Sequence, residues 1–151
     1  MKELPAAKKC FVCGDGNPSG LQVRFYHDGN EAKAVFIPDS RWEGYPGVVH
    51  GGILASLLDE VMYKAVFASE GNVVTARMSV RFRNPARVGS LLHLVGRVGE
   101  KKGRFVTAKG EIRDSENRPI ATAEGVFCLL SPEQEEQFGA ADLFGERSST
   151  R

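Results

Sequence analysis

Residues 46–69 read PGVVHGGILASLLDEVMYKAVFAS and form the only long segment of the chain with helical periodicity. At about 100° per residue, the apolar side chains gather on one broad arc. They are Leu54, Ala55, Leu57, Leu58, Val61, Met62, Ala65 and Val66. An apolar arc of roughly half the circumference is typical of a helix that packs against a sheet. We therefore predict a helix from about Gly51 to about Ser69.

Strand-like segments lie on both sides of this helix. Before it, alternation over 21–26 and 32–36, with a turn at 28–30, predicts a hairpin. After it come four further segments: Val73 to Phe82, Leu91 to Val98, Phe105 to Arg113 and Ile120 to Leu130. Their short connections favour antiparallel neighbours. The small residues Ala108 and Gly110 are expected to let the helix approach closely. The pattern predicts an α+β fold in which a sheet of about five to six strands wraps round one helix.

The length of 151 residues suits a single domain. We divide the chain into a loop-like lead-in over 1–20, the folded domain over 21–131 and a tail over 132–151. The tail is expected to hold a short helix near Pro132 to Phe138 and to end in mobile residues. A sheet of this kind leaves exposed edges, which favours self-association, with a homodimer as the minimum and a homotetramer as the alternative.

The overall composition excludes several classes of function. A formal net charge of +1 gives no support for a nucleic-acid partner or an anionic membrane surface. No apolar run approaches the roughly 20 residues of a membrane-spanning helix, and no signal-peptide pattern opens the sequence. The odd count of three cysteines favours reduced thiols. These features predict a cytoplasmic location.

Two glycines at the predicted helix start are candidates for binding a developing negative charge. Gly51 and Gly52 would expose backbone N–H groups at the positive end of the helix dipole. Such a donor can stabilise a tetrahedral oxyanion by roughly 3 kcal/mol. The same glycines would also suit a helix that begins tightly against a sheet, so both interpretations stay open.

Of the two helical acids, Asp59 is the better candidate catalyst. Glu60 lies in the middle of the polar arc with Lys64 four residues later, and a solvated ion pair explains it. Asp59 lies at the border of the arcs, where a carboxylate is partly desolvated, and has no cation at that spacing. A lone helical Asp can also be purely structural.

The order His50, Gly51, Gly52 and then Asp59 resembles the His-Gly-Gly signature and helical carboxylate of hotdog-fold acyl-CoA thioesterases, with the phenylacetate-pathway type nearest. The resemblance covers roughly Cys10 to Leu130. It extends to further matching residues: Cys10, Cys13, Gly14, Asn17, Pro18, Gly20, Leu21, Thr75 to Phe82, Asn84, Pro85, Ala86 and Gly89.

The resemblance implies a role for each matching residue. Asp59 would act as nucleophile or general base, and the Gly51 amide would polarise the thioester carbonyl. His50 would shape the loop and the helix start rather than exchange protons. Thr75 would position the attacking water, although β-propensity alone also explains a threonine in a strand. Each site would combine two subunits, without an external cofactor. Glu43 departs from relatives that often carry an amide there, and we expect it to face solvent.

Arg77, Arg81 and Arg83 share one face of a predicted strand, where they could meet the phosphates of coenzyme A or simply face solvent. Arg83 lies nearest the strand end. We take Arg83, Arg81 and Asn84 as the candidate substrate-binding residues.

Cys10 and Cys13 form a single C-x-x-C, which alone does not complete a zinc site. Cys128 and one of His27, His50 or His93 would have to converge on it, so we predict no metal.

Three functions remain open at this level. The first is hydrolysis of an acyl-CoA thioester to free acid and coenzyme A. The second is an acyl-CoA hydratase or dehydratase, because one fold supports several reactions. The third is an acyl-CoA-binding protein without catalysis.

Overall fold

The computed structural model describes residues 1–140, which contain two α-helices, one short 3-10 helix (Ser40–Trp42) and seven strands. The elements in chain order are β1 (Lys2–Glu3), β2 (Tyr26–Asp28), β3 (Glu31–Phe36), α1 (Gly51–Glu70), β4 (Val73–Phe82), β5 (Leu92–Lys102), β6 (Phe105–Asp114), β7 (Pro119–Leu129) and α2 (Pro132–Gln137). The predicted bounds of α1 and β4 agree with these to within one residue.

The seven strands form one sheet in the order β1-β2-β3-β5-β6-β7-β4, and every neighbouring pair is antiparallel. The long helix α1 packs on this sheet through an apolar surface whose core residues, such as Leu57, Leu58 and Val61, are fully buried. The predicted hotdog fold is confirmed. The sheet is slightly larger than the expected five to six strands, because the two-residue β1 inside the lead-in adds an edge to β2.

The first strand of the hairpin begins later than the alternation suggested. Leu21, Val23 and Phe25 are buried as expected, but Gln22 has a left-handed φ of 56°, which interrupts an extended run. The amides of Leu21 and Val23 instead donate to the carbonyls of Phe11 and Val12. The alternation therefore predicted the burial of these side chains correctly, but the backbone of this segment is hydrogen-bonded to the lead-in.

Glycine lets α1 approach the centre of the sheet. A Cβ at Gly96 of β5 would lie 2.3 Å from the carbonyl oxygen of Val61, and one at Gly110 of β6 would lie 3.0 Å from Met62 Cγ. Ala108 is also buried on this face. The expected close approach at Ala108 and Gly110 is thus present, and Gly96 makes the tightest contact.

Within residues 1–140, strand β4 forms one border of the sheet and pairs with β7 alone. Its register shifts between Thr75 and Arg77, so the simple alternation predicted for this strand is interrupted by a bulge. Two large apolar side chains on it, Val74 and Phe82, are 40% and 57% exposed. A long strand with a free edge and exposed apolar residues lies ready for pairing with another chain.

The lead-in packs against the domain although it has little regular structure. Leu4, Val12 and Cys13 belong to the hydrophobic core, and the buried Lys64 ammonium donates to the carbonyl of Pro5. In the tail, α2 begins at a capping box formed by Ser131 and Gln134, as the predicted short helix requires. The expected mobility of the chain end concerns 141–151, which lie outside the described residues.

Candidate active site

The start of α1 separates the two candidate glycine donors. His50 is the N-cap residue, and its Nδ1 accepts a 2.8 Å hydrogen bond from the amide of Gly52. The amide of Gly51, in the first helical position, has no acceptor among residues 1–140. Gly51 therefore offers the unoccupied N–H at the positive end of the helix dipole.

An open groove surrounds this N–H group. Its lining comes from the loop before α1, the first turn of α1 and the segment after β4: Gly44, Tyr45, Val48, Val49, His50, Gly51, Leu54, Phe82, Arg83, Asn84, Pro85 and Ala86. Tyr45 is 83% exposed at its rim. Glu43 is exposed, as expected, and its carboxylate accepts from the amide of Gly47 at 3.2 Å, which braces the loop.

The three candidate substrate-binding residues differ in their surroundings. Arg83 lines the groove, and its guanidinium lies 3.5 Å from the hydroxyl of Thr122. Asn84 also lines the groove, but its side-chain amide donates to the carbonyl of Pro119 at 2.6 Å. Arg81 lines a different, charged depression with Arg97 and Lys109. The structure brings Arg83 and Asn84 to the start of α1 and leaves Arg81 outside that groove.

Asp59 lies two turns further along α1, where it is half-buried and bound to the edge strand. The hydroxyl of Thr75 on β4 donates a 2.7 Å hydrogen bond to Asp59 Oδ1. Both residues line a second pocket together with Cys10, Cys13 and Glu60. The carboxylate is therefore neither sealed in an apolar interior nor unsupported in solvent.

Gly51 and Asp59 cannot meet around one small group within a single chain. They are eight residues apart in one continuous helix, which corresponds to about 12 Å along the axis. A thioester carbonyl cannot contact both groups across that distance. A single chain therefore holds these two candidate groups apart, the amide at the start of α1 and the carboxylate in its middle.

The structure overturns the interpretation of Glu60 and Lys64 as a solvated pair. The Lys64 side chain is only 1% exposed and that of Glu60 13%, and their charged atoms lie 3.7 Å apart. The lead-in folds over this side of α1 and places Cys13 Sγ 3.4 Å from Glu60 Oε2. The helical pattern assigned these residues to solvent because it carries no information about a segment that returns from 50 residues away.

Burial and neighbouring groups change the proton affinities within this cluster. Burial raises the pKa of Glu60 to about 7, although the Lys64 ammonium opposes this. Hydrogen bonding from the Cys13 thiol, with further help from backbone amides and Lys64, lowers the pKa of Cys10 to about 5. The same bond and burial raise the pKa of Cys13. The hydrogen bond between the two thiols therefore favours the negative charge on Cys10 over Cys13.

Glu60 and Lys64 were not among the candidate functional residues predicted from the sequence. The sequence contained two separate signals, the C-x-x-C of Cys10 and Cys13 and the second helical acid, Glu60. Nothing in the sequence showed that these residues would lie together. The further ligands considered for zinc, Cys128 and the three histidines, do not join the cysteine pair within the described residues. Glu60 does.

The profile of the thioesterase superfamily matches residues 46–121. Acyl-coenzyme A thioesterase THEM5 of Mus musculus is 33% identical over 120 residues, which cover 76% of this chain and 47% of that protein. The chain spans about half the length of the curated relatives it matches.

Solved structures agree with the sequence relatives. The crystal structure of a thioesterase superfamily protein superposes with a TM-score of 0.74 at 28% identity, covering 80% of this chain and 60% of that one. The E. coli PaaI protein from the phenylacetic acid degradation operon has the same fold, with a TM-score of 0.67 at 19% identity, covering 72% of this chain and 83% of that protein.

The expectation of a cytoplasmic location is wrong in the light of two fungal relatives. Matches to an uncharacterized mitochondrial protein of Candida albicans, at 32% identity, and to the mitochondrial membrane protein FMP10 of Saccharomyces cerevisiae, at 25%, point away from it. Reduced thiols and a nearly neutral net charge suit any reducing compartment, so they could not discriminate between compartments.

None of the helices within residues 1–140 combines the length and the apolar character that a bilayer crossing requires.

Proposed function

We propose that this chain, which belongs to the thioesterase superfamily, hydrolyses an acyl-coenzyme A thioester to a free acid and coenzyme A. The observation that carries the proposal is the pair of half-sites on α1: an unoccupied Gly51 amide at the helix start and an Asp59 carboxylate held by Thr75. These are the two groups that acyl transfer from a thioester needs, an oxyanion donor and a base. Relatives named acyl-coenzyme A thioesterases support the substrate class.

We further propose that two copies of the chain build each site. Within one chain, Gly51 and Asp59 are roughly 12 Å apart along α1. When the α1 helices of two copies run antiparallel, each Gly51 instead faces the partner's Asp59. A twofold axis then generates two equivalent sites. The free edge of β4 and its exposed apolar residues Val74 and Phe82 support a homodimer formed along this strand. A dimer of dimers would extend the same unit.

In the proposed reaction Asp59 acts as a general base. Thr75 occupies Oδ1, which leaves Oδ2 to accept a proton from water as that water attacks the thioester carbonyl carbon. The oxygen that becomes negative accepts the hydrogen bond of the Gly51 amide. When the tetrahedral intermediate collapses, the C–S bond breaks and the proton held by Asp59 passes to the departing sulfur. No external cofactor takes part.

The remaining candidates support this arrangement. His50 engages the Gly52 amide, which fixes the helix start and leaves the Gly51 amide to the substrate. Arg83 lines the groove and is placed to meet a coenzyme A phosphate through charge-assisted hydrogen bonds. Asn84 holds the groove wall through its bond to Pro119. Arg81 faces a separate charged depression, where it could contact an extended portion of the nucleotide.

The test is a panel of acyl-CoA substrates in which thiol release is followed for wild type and for Asp59→Asn. We expect at least one substrate to release thiol and the variant to lose about a hundredfold or more in kcat while still binding substrate. Glu70→Gln serves as the matched control, because it removes a carboxylate at the far end of α1. It should keep wild-type activity.

Three results would overturn the proposal. The first is full activity in Asp59→Asn. The second is a 2-enoyl-CoA whose double bond disappears without thiol release, which would indicate a hydratase. The third is heat stabilisation by coenzyme A without turnover of any substrate, which would indicate a binding protein. Label in Asp59 after a single turnover in heavy-oxygen water would contradict the role of general base, because it arises only when water opens an Asp59–acyl anhydride at the Asp59 carboxyl carbon.

A further inference from the structure

The cluster under the lead-in has chemistry that the proposed hydrolysis does not use. The reactive atoms of Cys10, Cys13 and Glu60 all lie within 4.8 Å of one another, and both cysteines are free thiols. Lys64 completes the group through its 3.7 Å contact with Glu60. A C-x-x-C pair beside a buried carboxylate and a buried ammonium supplies the parts of a redox-active dithiol.

The two thiols are not equivalent. Cys10 is half-buried and lines an open pocket, and its sulfur accepts the backbone amide of Cys13 at 3.4 Å. Cys13 is 8% exposed, and its thiol contacts Glu60 Oε2 at 3.4 Å. One sulfur is thus accessible and supported as a thiolate, while the other is buried against a proton acceptor.

We propose that Cys10 and Cys13 form a thiol–disulfide exchange site for small disulfides of the glutathione class, in which Cys10 attacks, Cys13 resolves and Glu60 takes the proton of Cys13. Exposure distinguishes the two thiols, and Glu60 lies nearer to Cys13, at 3.4 Å, than to Cys10, whose sulfur is 3.9 Å from Glu60 Oε1. The lowered pKa of Cys10 and the raised pKa of Glu60 agree with them. The inference concerns a separate chemistry and does not depend on the proposed hydrolysis.

The reaction is balanced with one disulfide as the oxidant. The Cys10 thiolate attacks one sulfur of the small disulfide, forms a mixed disulfide and releases the first small thiolate. Cys13 then gives its proton to Glu60 and attacks Cys10 Sγ, which releases the second thiolate. The chain ends with a Cys10–Cys13 disulfide, and the small disulfide is reduced to two thiols.

A metal site is the competing use of the same atoms. Structural zinc is held almost always by four protein ligands, whereas three converge here within residues 1–140. The ammonium of Lys64 already supplies positive charge beside Glu60. These observations favour the dithiol, and zinc content becomes an outcome of the test.

The experiment incubates the purified full chain with oxidised glutathione, stops the reaction with acid, alkylates the unfolded protein and counts free thiols by intact mass. Wild type, with three cysteines, should fall to one free thiol per chain. Cys128→Ser is the matched control and should lose its two remaining thiols in the same way. Cys13→Ser should accumulate the mixed disulfide with glutathione, because the resolving thiol is missing. Cys10→Ser should form no internal disulfide.

Glu60→Gln tests the proton acceptor separately. Its mixed disulfide should resolve about tenfold more slowly or worse than that of wild type. The inference is overturned if wild type keeps three free thiols, if the mixed disulfide accumulates in Cys10→Ser rather than Cys13→Ser, or if the purified chain carries one zinc ion that protects both thiols. The wild-type count and the Cys128→Ser control decide the matter even if a cluster variant fails to fold.

Discussion

The hydroxyl of Thr75, on the edge strand β4, donates a 2.7 Å hydrogen bond to the carboxylate of Asp59, in the middle of α1. The two residues are 16 positions apart in sequence, and the fold brings them together by placing β4 alongside α1. This bond orients the carboxylate and leaves its second oxygen free. It also connects the proposed base to the strand along which a second copy would pair.

Removing the Thr75 hydroxyl should slow the reaction while leaving the rest of the site in place. Thr75→Val keeps the shape and β-propensity of the residue but loses the donor, and we expect kcat to fall about tenfold or more, the scale of a hydrogen bond to a charged group. Thr75→Ser restores the donor and should recover most of the rate. Equal rates for the two variants would show that the hydroxyl has no part in turnover.

One substitution can remove the backbone N–H group of Gly51 with little other change to the structure. Gly51 is the first helical residue and follows an extended His50 with a ψ of 136°, conditions that proline accepts. Gly51→Pro removes the N–H group, and we expect kcat to fall about a hundredfold or more. Gly51→Ala keeps the N–H group and places its Cβ 3.5 Å from the Phe82 ring, so it should stay active. An active proline variant would exclude this amide as the oxyanion donor.

The packing of α1 on the sheet predicts different costs at two glycines. A Cβ at Gly96 would meet the Val61 carbonyl oxygen at 2.3 Å, whereas one at Gly110 meets the flexible Met62 side chain at 3.0 Å. Gly96→Ala should therefore lower the free energy of unfolding by about 1–3 kcal/mol, the usual cost of overpacking. Gly110→Ala should cost less. Urea denaturation measures both, and the reverse order would contradict this packing.

The dithiol predicts an unusual pH dependence of alkylation. Its Cys10 thiolate is favoured by Cys13, by backbone amides and by Lys64, while Glu60 and Asp59 also lie near the cluster. Because the thiolate is the reactive form and the pKa of Cys10 is lowered to about 5, its alkylation rate should rise near that pH and be level at neutral pH. Cys13→Ala removes the largest cause, the hydrogen bond from that side chain, and should move the midpoint upward. A midpoint near that of an ordinary thiol in wild type would contradict the assignment.

The helix, the four long strands and the antiparallel order followed from the sequence because each depends on local periodicity and short connections. The bounds Gly51 and Val73 were predictable since a glycine pair begins α1 and a β-branched run begins β4. Asp59 was named from its position on the helix and from the family resemblance, and Thr75 from the resemblance alone; the structure adds the bond between them.

What the sequence could not reveal comes from contacts between distant segments. Their place on the polar arc predicted that Glu60 and Lys64 face solvent. The lead-in instead covers them, and its Pro5 carbonyl and Cys13 thiol contact them. The strand expected from Leu21 has its backbone partners at Phe11 and Val12 for the same reason. A helical wheel shows which face is apolar, and it cannot show which polar face another segment will bury.

The most direct test asks whether Gly51 and Asp59 work across two copies of the chain. Gly51→Pro and Asp59→Asn carry different affinity tags, are co-expressed, and the mixed dimers are isolated by both tags. Each homodimer lacks one component at both sites, whereas a mixed dimer has one intact site, formed by Gly51 of one copy and Asp59 of the other. The account predicts that mixed dimers recover about half of the wild-type activity. Mixed dimers as inactive as the two parent variants would contradict it.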